Sequence, residues 1–238
     1  MARSERLARG SKKRLCAALR MFLRFLLLRG YLARDIVSSV PMIPSYKLDR
    51  LPRAIAWEDI QKILAVVDQG TVVGRRDYAL MLMLATYGIR IGQLCAMTLD
   101  DIDWRRRTIR VRAAKGGRDT VLPLRPSVGE ALVAYLRDGR PRSLHREIFL
   151  RVRAPLVPLH GAVTAQIRPY ARRAGVKPPF GTHAWRHACA TRMLASGQSL
   201  KTIRDVLGHT SIESTFIYTK LDVDAVRQAA LEWPMGAA

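Results

Sequence analysis

His183 and Arg186 lie three residues apart after a Pro-Pro-Phe-Gly breaker, His209 follows Gly208 in a Leu-Gly-His turn, and Tyr218 comes nine residues later. Positions three apart share a helix face, so His183 and Arg186 aim at one point. A cation beside a tyrosine able to act as a nucleophile favours phosphoryl over acyl transfer. The set therefore reads as one that holds a phosphate and attacks it.

Each member also has a blander reading. His183 opens a helix whose later positions, Ala190 and Leu194, look like core, so it fits a structural histidine. His209 follows a glycine that stops a helix in a left-handed turn, which suits an exposed loop residue. Tyr218 keeps company with Ile212, Phe216 and Ile217, the usual setting of a core tyrosine with a wet hydroxyl. A phenol titrates near about 10, so attack at neutral pH requires cations close by.

The elements that must position these groups are mostly helical. Leu15, Leu19, Phe22, Phe25 and Leu26 recur at helical spacing within a basic stretch covering residues 1–50, with Gly30 near its end. Pro41, Pro44 and Pro52 punctuate a linker, and a domain boundary is expected near residue 50. Helices are expected from Trp57 to Val67 and from Arg76 to Tyr87, the second apolar enough to be buried. Arg90 lies just beyond Gly88, which closes that helix. Residues 108–112 and 120–124 alternate, and Lys115-Gly116-Gly117 lies between them, which predicts a β-hairpin with Lys115 by its turn. Further helices are expected at 127–137, 162–174, 183–196, 200–207, 211–219 and 222–232, with Gly197 and Gly208 as stops. The predicted fold class is mainly α with a small antiparallel β-sheet (α+β).

Composition narrows the partner. The 238 residues include 41 Lys and Arg against 19 Asp and Glu, a formal charge of +22 spread along the whole chain. Such an excess points to a polyanion. A hydrophobic share of 49% is enough for a packed core. The apolar run around Met21 to Leu28 is broken by Arg24 and falls short of a membrane span, so no membrane partner is expected. Cys16, Cys95 and Cys189 show neither CxxC spacing nor nearby histidine pairs, which argues against a zinc site or a disulfide framework and for buried thiols. The basic N-terminus lacks a secretory cleavage pattern, and a cytoplasmic location is expected by elimination.

Taken in order, five segments carry a resemblance: Tyr-Gly-Ile-Arg-Ile-Gly-Gln-Leu around Arg90, Ala-Lys-Gly-Gly-Arg-Asp at Lys115, His-Ala-Trp-Arg-His at 183–187, Leu-Gly-His at 207–209, and Phe-Ile-Tyr-Thr containing Tyr218. Over roughly residues 50–225 the chain resembles the tyrosine recombinases, or phage-type integrases. That resemblance implies a catalytic set of Arg90, Lys115, His183, Arg186, His209 and Tyr218. Arg90 and Arg186 would clamp the scissile phosphate, a task that suits the two-pronged guanidinium. Taken alone, Arg90 also fits a charged residue interacting with a helix C-terminus, and Lys115 a solvated hairpin lysine. By resemblance Lys115 protonates the leaving 5′ oxygen, His183 orients the phosphate or accepts the tyrosine proton, and His209 donates a hydrogen bond. His187, one turn from His183, packs or hydrogen-bonds behind it.

The resemblance further implies double-stranded DNA as substrate, a 3′-phosphotyrosyl intermediate, a homo-tetramer assembled on DNA, and accessory DNA-bending proteins as potential partners. Neither metal nor cofactor is implied, and the chain shows neither a carboxylate cluster nor a P-loop. Residues 1–50 then read as a partial core-binding (DNA clamp) region with its linker, and 51–238 as the catalytic domain with a C-terminal helix from Asp222 to Trp233. Two departures stand out: the segment ahead of the linker is short, which suggests truncation, and Gln93 occupies a usually acidic position. A second reading is therefore a truncated, non-catalytic DNA-binding remnant that modulates a full-length recombinase. A third is a type IB topoisomerase, against which the compact spacing argues.

Overall fold

The computed structural model describes residues 9–44, 55–113, 119–161 and 163–208. It divides into two compact units, Met1–Arg50 and Leu51–Ala238.

In the first unit a single long helix, α1 (Arg9–Leu28), carries the basic amphipathic stretch. Its apolar stripe stays open: Leu15, Leu19, Phe22 and Phe25 are all exposed, and the helix buries no residue. The helix ends where Gly30 turns left-handed, with Gly30 N–H bonded to Leu27 O and Tyr31 N–H to Leu26 O. Arg20 reaches across to donate twice to Val40 O, at 3.2 and 2.6 Å.

The second unit is built around α3 (Val72–Tyr87), which follows α2 (Trp57–Ala65). The expected start at Arg76 is corrected to Val72. Thr71 caps the helix, its Oγ1 accepting from Gly74 N–H at 3.0 Å, and this extends the helix back through a glycine. Two long helices pack on α3: α5 (Pro126–Asp138) and α7 (Thr182–Ala195). Ala79, Leu80, Met81, Met83 and Leu84 are almost completely buried between them. Each such side chain contributes on the order of 1–3 kcal/mol by leaving water, so α3 is the axis on which the unit assembles. A charged pair is buried with them: Asp77 accepts from Arg76 Nε at 2.8 Å and from the Tyr170 hydroxyl at 2.9 Å. Tyr170 sits on α6 (Val163–Arg173), which this bond ties to α3. Outside the core, Arg192 of α7 lies 3.8 Å over the Trp57 ring and ties that helix to α2.

The expected hairpin is present as β2 (Thr108–Val111) and β3 (Thr120–Pro123), antiparallel, with Ile109 opposite Leu122 and Val111 opposite Thr120. A third strand, β1 (Ile102–Asp103), pairs with the other edge of β2 and makes the sheet order β1-β2-β3. Ile102, Ile109, Val111 and Leu122 bury one face of this sheet, while Arg110 points the other way.

Two short helices complete the frame for the cavity. The α4 helix (Ile91–Cys95) directly follows Gly88-Ile89-Arg90, and α8 (Leu200–Leu207) follows α7. Between α7 and α8 the chain reverses at Gly197, where Gly197 N–H bonds Leu194 O and Gln198 N–H bonds Met193 O. The expected helices at 211–219 and 222–232, and most of the proline-marked linker, lie outside the described residues.

Candidate active site

Two left-handed glycines set the geometry of the site. Gly88 ends α3 with φ 58°, and Gly208 ends α8 with φ 62°. A side chain at Gly88 would be strained and crowded, since its Cβ would sit 2.7 Å from Leu207 Cδ2. The close approach brings the C-terminus of α3 against the C-terminus of α8. Both ends present carbonyls without helical partners and carry partial negative charge.

Two arginines from distant parts of the sequence satisfy those carbonyls. Arg186 is buried, at 5% exposure, and donates from Nη1 to Gly88 O at 2.6 Å and from Nη2 to Leu207 O at 2.5 Å. Arg90 donates from Nη1 to Gly208 O at 2.9 Å. Arg90 is not part of the apolar helix that precedes it: it is the N-cap residue of α4, in extended conformation, and its carbonyl accepts from Leu94 N–H. Helix-dipole contact is thus part of its role, but the dipole it touches is that of α8.

Arg90, His183 and Arg186 line one open cavity of about 410 Å³, together with Gln93, Arg110 and Arg112. His183 is exposed on the first turn of α7, one turn before Arg186, and both face this cavity. Behind them His187 is half-buried, and its pKa is pushed down by burial and by the neighbouring His183 and Arg186. It is held toward the neutral form. Lys115, His209 and Tyr218 lie outside the described residues. For two of them the preceding residues are described: Arg112 and Ala113 line the cavity and precede Lys115 in sequence, and Gly208, whose carbonyl Arg90 holds, directly precedes His209.

Gln93 donates from Nε2 to Arg112 O at 2.6 Å, which fastens α4 to the end of β2. An acidic side chain could not make this bond, because a carboxylate has no proton to donate. The cavity also contains residues that sequence reasoning did not single out. Asp101, fully buried in its side chain, accepts from Nε of both Arg110 and Arg112. The only trace of this in the sequence is the placement of Arg110 and Arg112 on one face of an alternating strand. With four arginines and one sequestered carboxylate on its walls, the cavity favours an anion. Among the described residues no group of three or more His, Cys, Asp or Glu side chains is placed to hold a metal ion.

Cys95 and Cys189 are buried and Cys16 is half-buried, all as free thiols. Burial pushes Cys95 and Cys189 up to about 11, so both are inert at neutral pH. No helix among the described residues is long and apolar enough to cross a membrane.

Residues 53–224 match the model of the phage integrase family. The chain belongs to the phage integrase family. Among its phage integrase relatives, a Sinorhizobium fredii protein named as an integrase/recombinase, y4rA, is 41% identical over 220 residues, 91% of this chain and 53% of that protein. The chain thus spans about half the length of that relative. Tyrosine recombinase XerA of Thermococcus onnurineus is 33% identical over 214 residues, 89% of this chain and 71% of XerA. In fold, the chain is similar to the XerH site-specific recombinase in its pre-cleavage complex with difH substrate, with a TM-score of 0.71 at 20% identity over 94% of this chain and 66% of XerH.

Proposed function

We propose that this phage integrase family member performs site-specific DNA recombination, cutting and rejoining strands through a 3′-phosphotyrosyl intermediate at Tyr218. The observation that carries the reading is the convergence of Arg90 and Arg186, 96 positions apart, on the end of α8 in a cavity shared with His183. That helix end leads straight to His209, and nine residues later to Tyr218. Relatives named as tyrosine recombinases, and a solved neighbour held on its DNA substrate, support the same reading.

In this reaction the Tyr218 hydroxyl oxygen attacks phosphorus in line, the bond to the 5′ oxygen breaks, and the new bond joins phosphorus to Tyr218. His183 accepts the phenolic proton, and Lys115 gives one to the departing 5′ oxygen. Arg90 and Arg186 spread the negative charge of the five-coordinate phosphorus over fixed donors, and His209 donates to a non-bridging oxygen. Because the phosphoester is conserved, a 5′ hydroxyl from another duplex reverses the attack and seals the strand. The reaction requires neither metal nor nucleotide.

Exchange between two duplexes uses four such sites, so the working form is a homo-tetramer on double-stranded DNA, open to accessory bending proteins and acting in the cytoplasm. Residues 1–50 supply DNA contacts as a partial core-binding region, 51–238 supply the chemistry, and the Asp222 to Trp233 segment couples protomers. A pool of nicked duplexes of randomised sequence tests the chemistry. Wild-type protein should leave a denaturation-resistant protein–DNA adduct, and Tyr218→Phe should leave none. An adduct that persists in Tyr218→Phe overturns the assignment, while salt-sensitive binding without any adduct would favour the non-catalytic reading.

A further inference from the structure

Arg110 of β2 and Arg112 just past its end stand two residues apart, about 7 Å along the strand, on the face opposite the buried Ile109 and Val111. Both donate Nε to one oxygen, Asp101 Oδ1, at 3.1 and 2.9 Å. The second oxygen, Oδ2, accepts from the backbone N–H and the hydroxyl of Thr98, both at 2.9 Å. Arg112 adds a bond from Nη2 to Thr98 Oγ1 at 3.1 Å.

This arrangement has more cation than a structural role requires. One carboxylate with no exposed surface faces two guanidiniums whose side chains remain 47% and 51% exposed. A half-exposed second arginine adds little to stability by ion pairing, yet it leaves a surplus positive charge at the cavity wall. Anchoring through Nε fixes the plane of each guanidinium, while both Nη groups of Arg110 and Nη1 of Arg112 make no hydrogen bond among the described residues. These N–H groups can donate to phosphate oxygens. Both side chains line the cavity that holds Arg90, His183 and Arg186, and the segment they begin continues toward Lys115.

We propose that Arg110 and Arg112 bind the DNA phosphate next to the one Tyr218 attacks, and that Asp101 is the positioning residue that aims them. The inference rests on the recombination reading for its substrate, but not on the attack by Tyr218. Binding here fixes the strand on both sides of the reacting bond, and the Gln93 bond to Arg112 O transmits that position to α4 and so to Arg90.

The test is arginine-selective modification with phenylglyoxal, read residue by residue by mass spectrometry, with and without a saturating mixed-sequence DNA duplex. It uses the wild-type chain and so does not depend on a variant folding. Arg110 and Arg112 should be protected several-fold in step with Arg90. Full reactivity at Arg110 and Arg112 while Arg90 is protected overturns this proposal and leaves the recombination reading intact. Equal reactivity at all three with and without DNA removes both. Duplex affinity measured across a salt series supplies the second readout. The logarithmic salt slope of the Arg110→Gln/Arg112→Gln variant should be shallower by about 1 than that of the wild type, the change expected for one phosphate no longer neutralised. An unchanged slope in a variant that melts like the wild type also overturns the assignment.

Discussion

Arg90 and Arg186 grip consecutive carbonyls of the same helix end: Gly208 O accepts from Arg90 at 2.9 Å and Leu207 O from Arg186 at 2.5 Å. Each guanidinium is therefore positioned before any substrate arrives. The two differ in depth, since Arg186 is buried and Arg90 half-buried, and that difference separates their mutational signatures.

Arg186→Lys should lose both stability and activity. A lysine ammonium cannot span Gly88 O and Leu207 O as the planar fork does, so at least one charge-assisted bond is lost at a cost of about 2 kcal/mol. Arg90→Lys should melt close to wild type yet form phosphotyrosyl adduct about 10²-fold more slowly, the effect of removing one charge-stabilising donor. Urea unfolding and adduct time courses on the same preparations separate the two. Equal stability losses would show that burial does not distinguish these arginines.

Gly88→Ala probes the contact between the two helix ends. An alanine at φ 58° costs about 1–2 kcal/mol in backbone strain. Its Cβ would also press on Leu207 Cδ2 at 2.7 Å and Cys189 Cβ at 3.2 Å, a crowding worth about 1–3 kcal/mol more. Because Gly88 O is an acceptor for Arg186, the adduct rate should fall along with the melting temperature. A variant that melts like the wild type would mean that α8 moves aside without penalty.

The elements that sequence reasoning located well are those with a local cause. Gly88 and Gly208 stop α3 and α8 where a breaker was expected, and the alternation of 108–112 placed Arg110 and Arg112 together. Long-range causes were not legible. In Leu-Asp-Asp-Ile-Asp the three carboxylates look alike, and only the pairing of β1 with β2 buries Asp101 while leaving Asp100 exposed and Asp103 half-buried. The α3 helix begins at Val72, ahead of the expected Arg76, and so takes a glycine, a poor helix former, into its first turn. Gly74 is required by contact, since a Cβ there would lie 1.8 Å from Asp68 O. The distance between His183 and Arg186 in sequence announced a shared face, whereas Arg90 reaches the same cavity only through the packing of α3 against α7.

His187 gives the fold a pH dependence of known sign. Its pKa is lowered in the folded protein by burial, by His183 and by Arg186, so the folded state resists its protonation. The stability it contributes is present above the unfolded-state value of about 6.5 and is lost as pH falls through the lower folded value. Thermal melts between about pH 7 and pH 5 should therefore show a decline that His187→Gln reduces. The same decline in His187→Gln would assign it to another group.

Asp101→Asn tests the anchor under the cavity wall. Burial alone would raise the Asp101 pKa, but bonds from Thr98, Arg112 and Arg110 hold it below the ordinary carboxylate range. Its contribution is therefore present above the unfolded value and lost as pH falls through the folded one. An asparagine keeps one acceptor oxygen and places two N–H donors against donors, so two arginines and Thr98 lose half of their acceptors. Losing this buried acceptor costs about 1–3 kcal/mol, seen as a lower urea midpoint at neutral pH with an unchanged denaturant slope. Wild type and variant should converge in stability as the solution is taken to acid, because the wild-type carboxyl then also carries a proton. A gap that stays constant down to the acid transition would show that Asp101 acts through its shape rather than its charge.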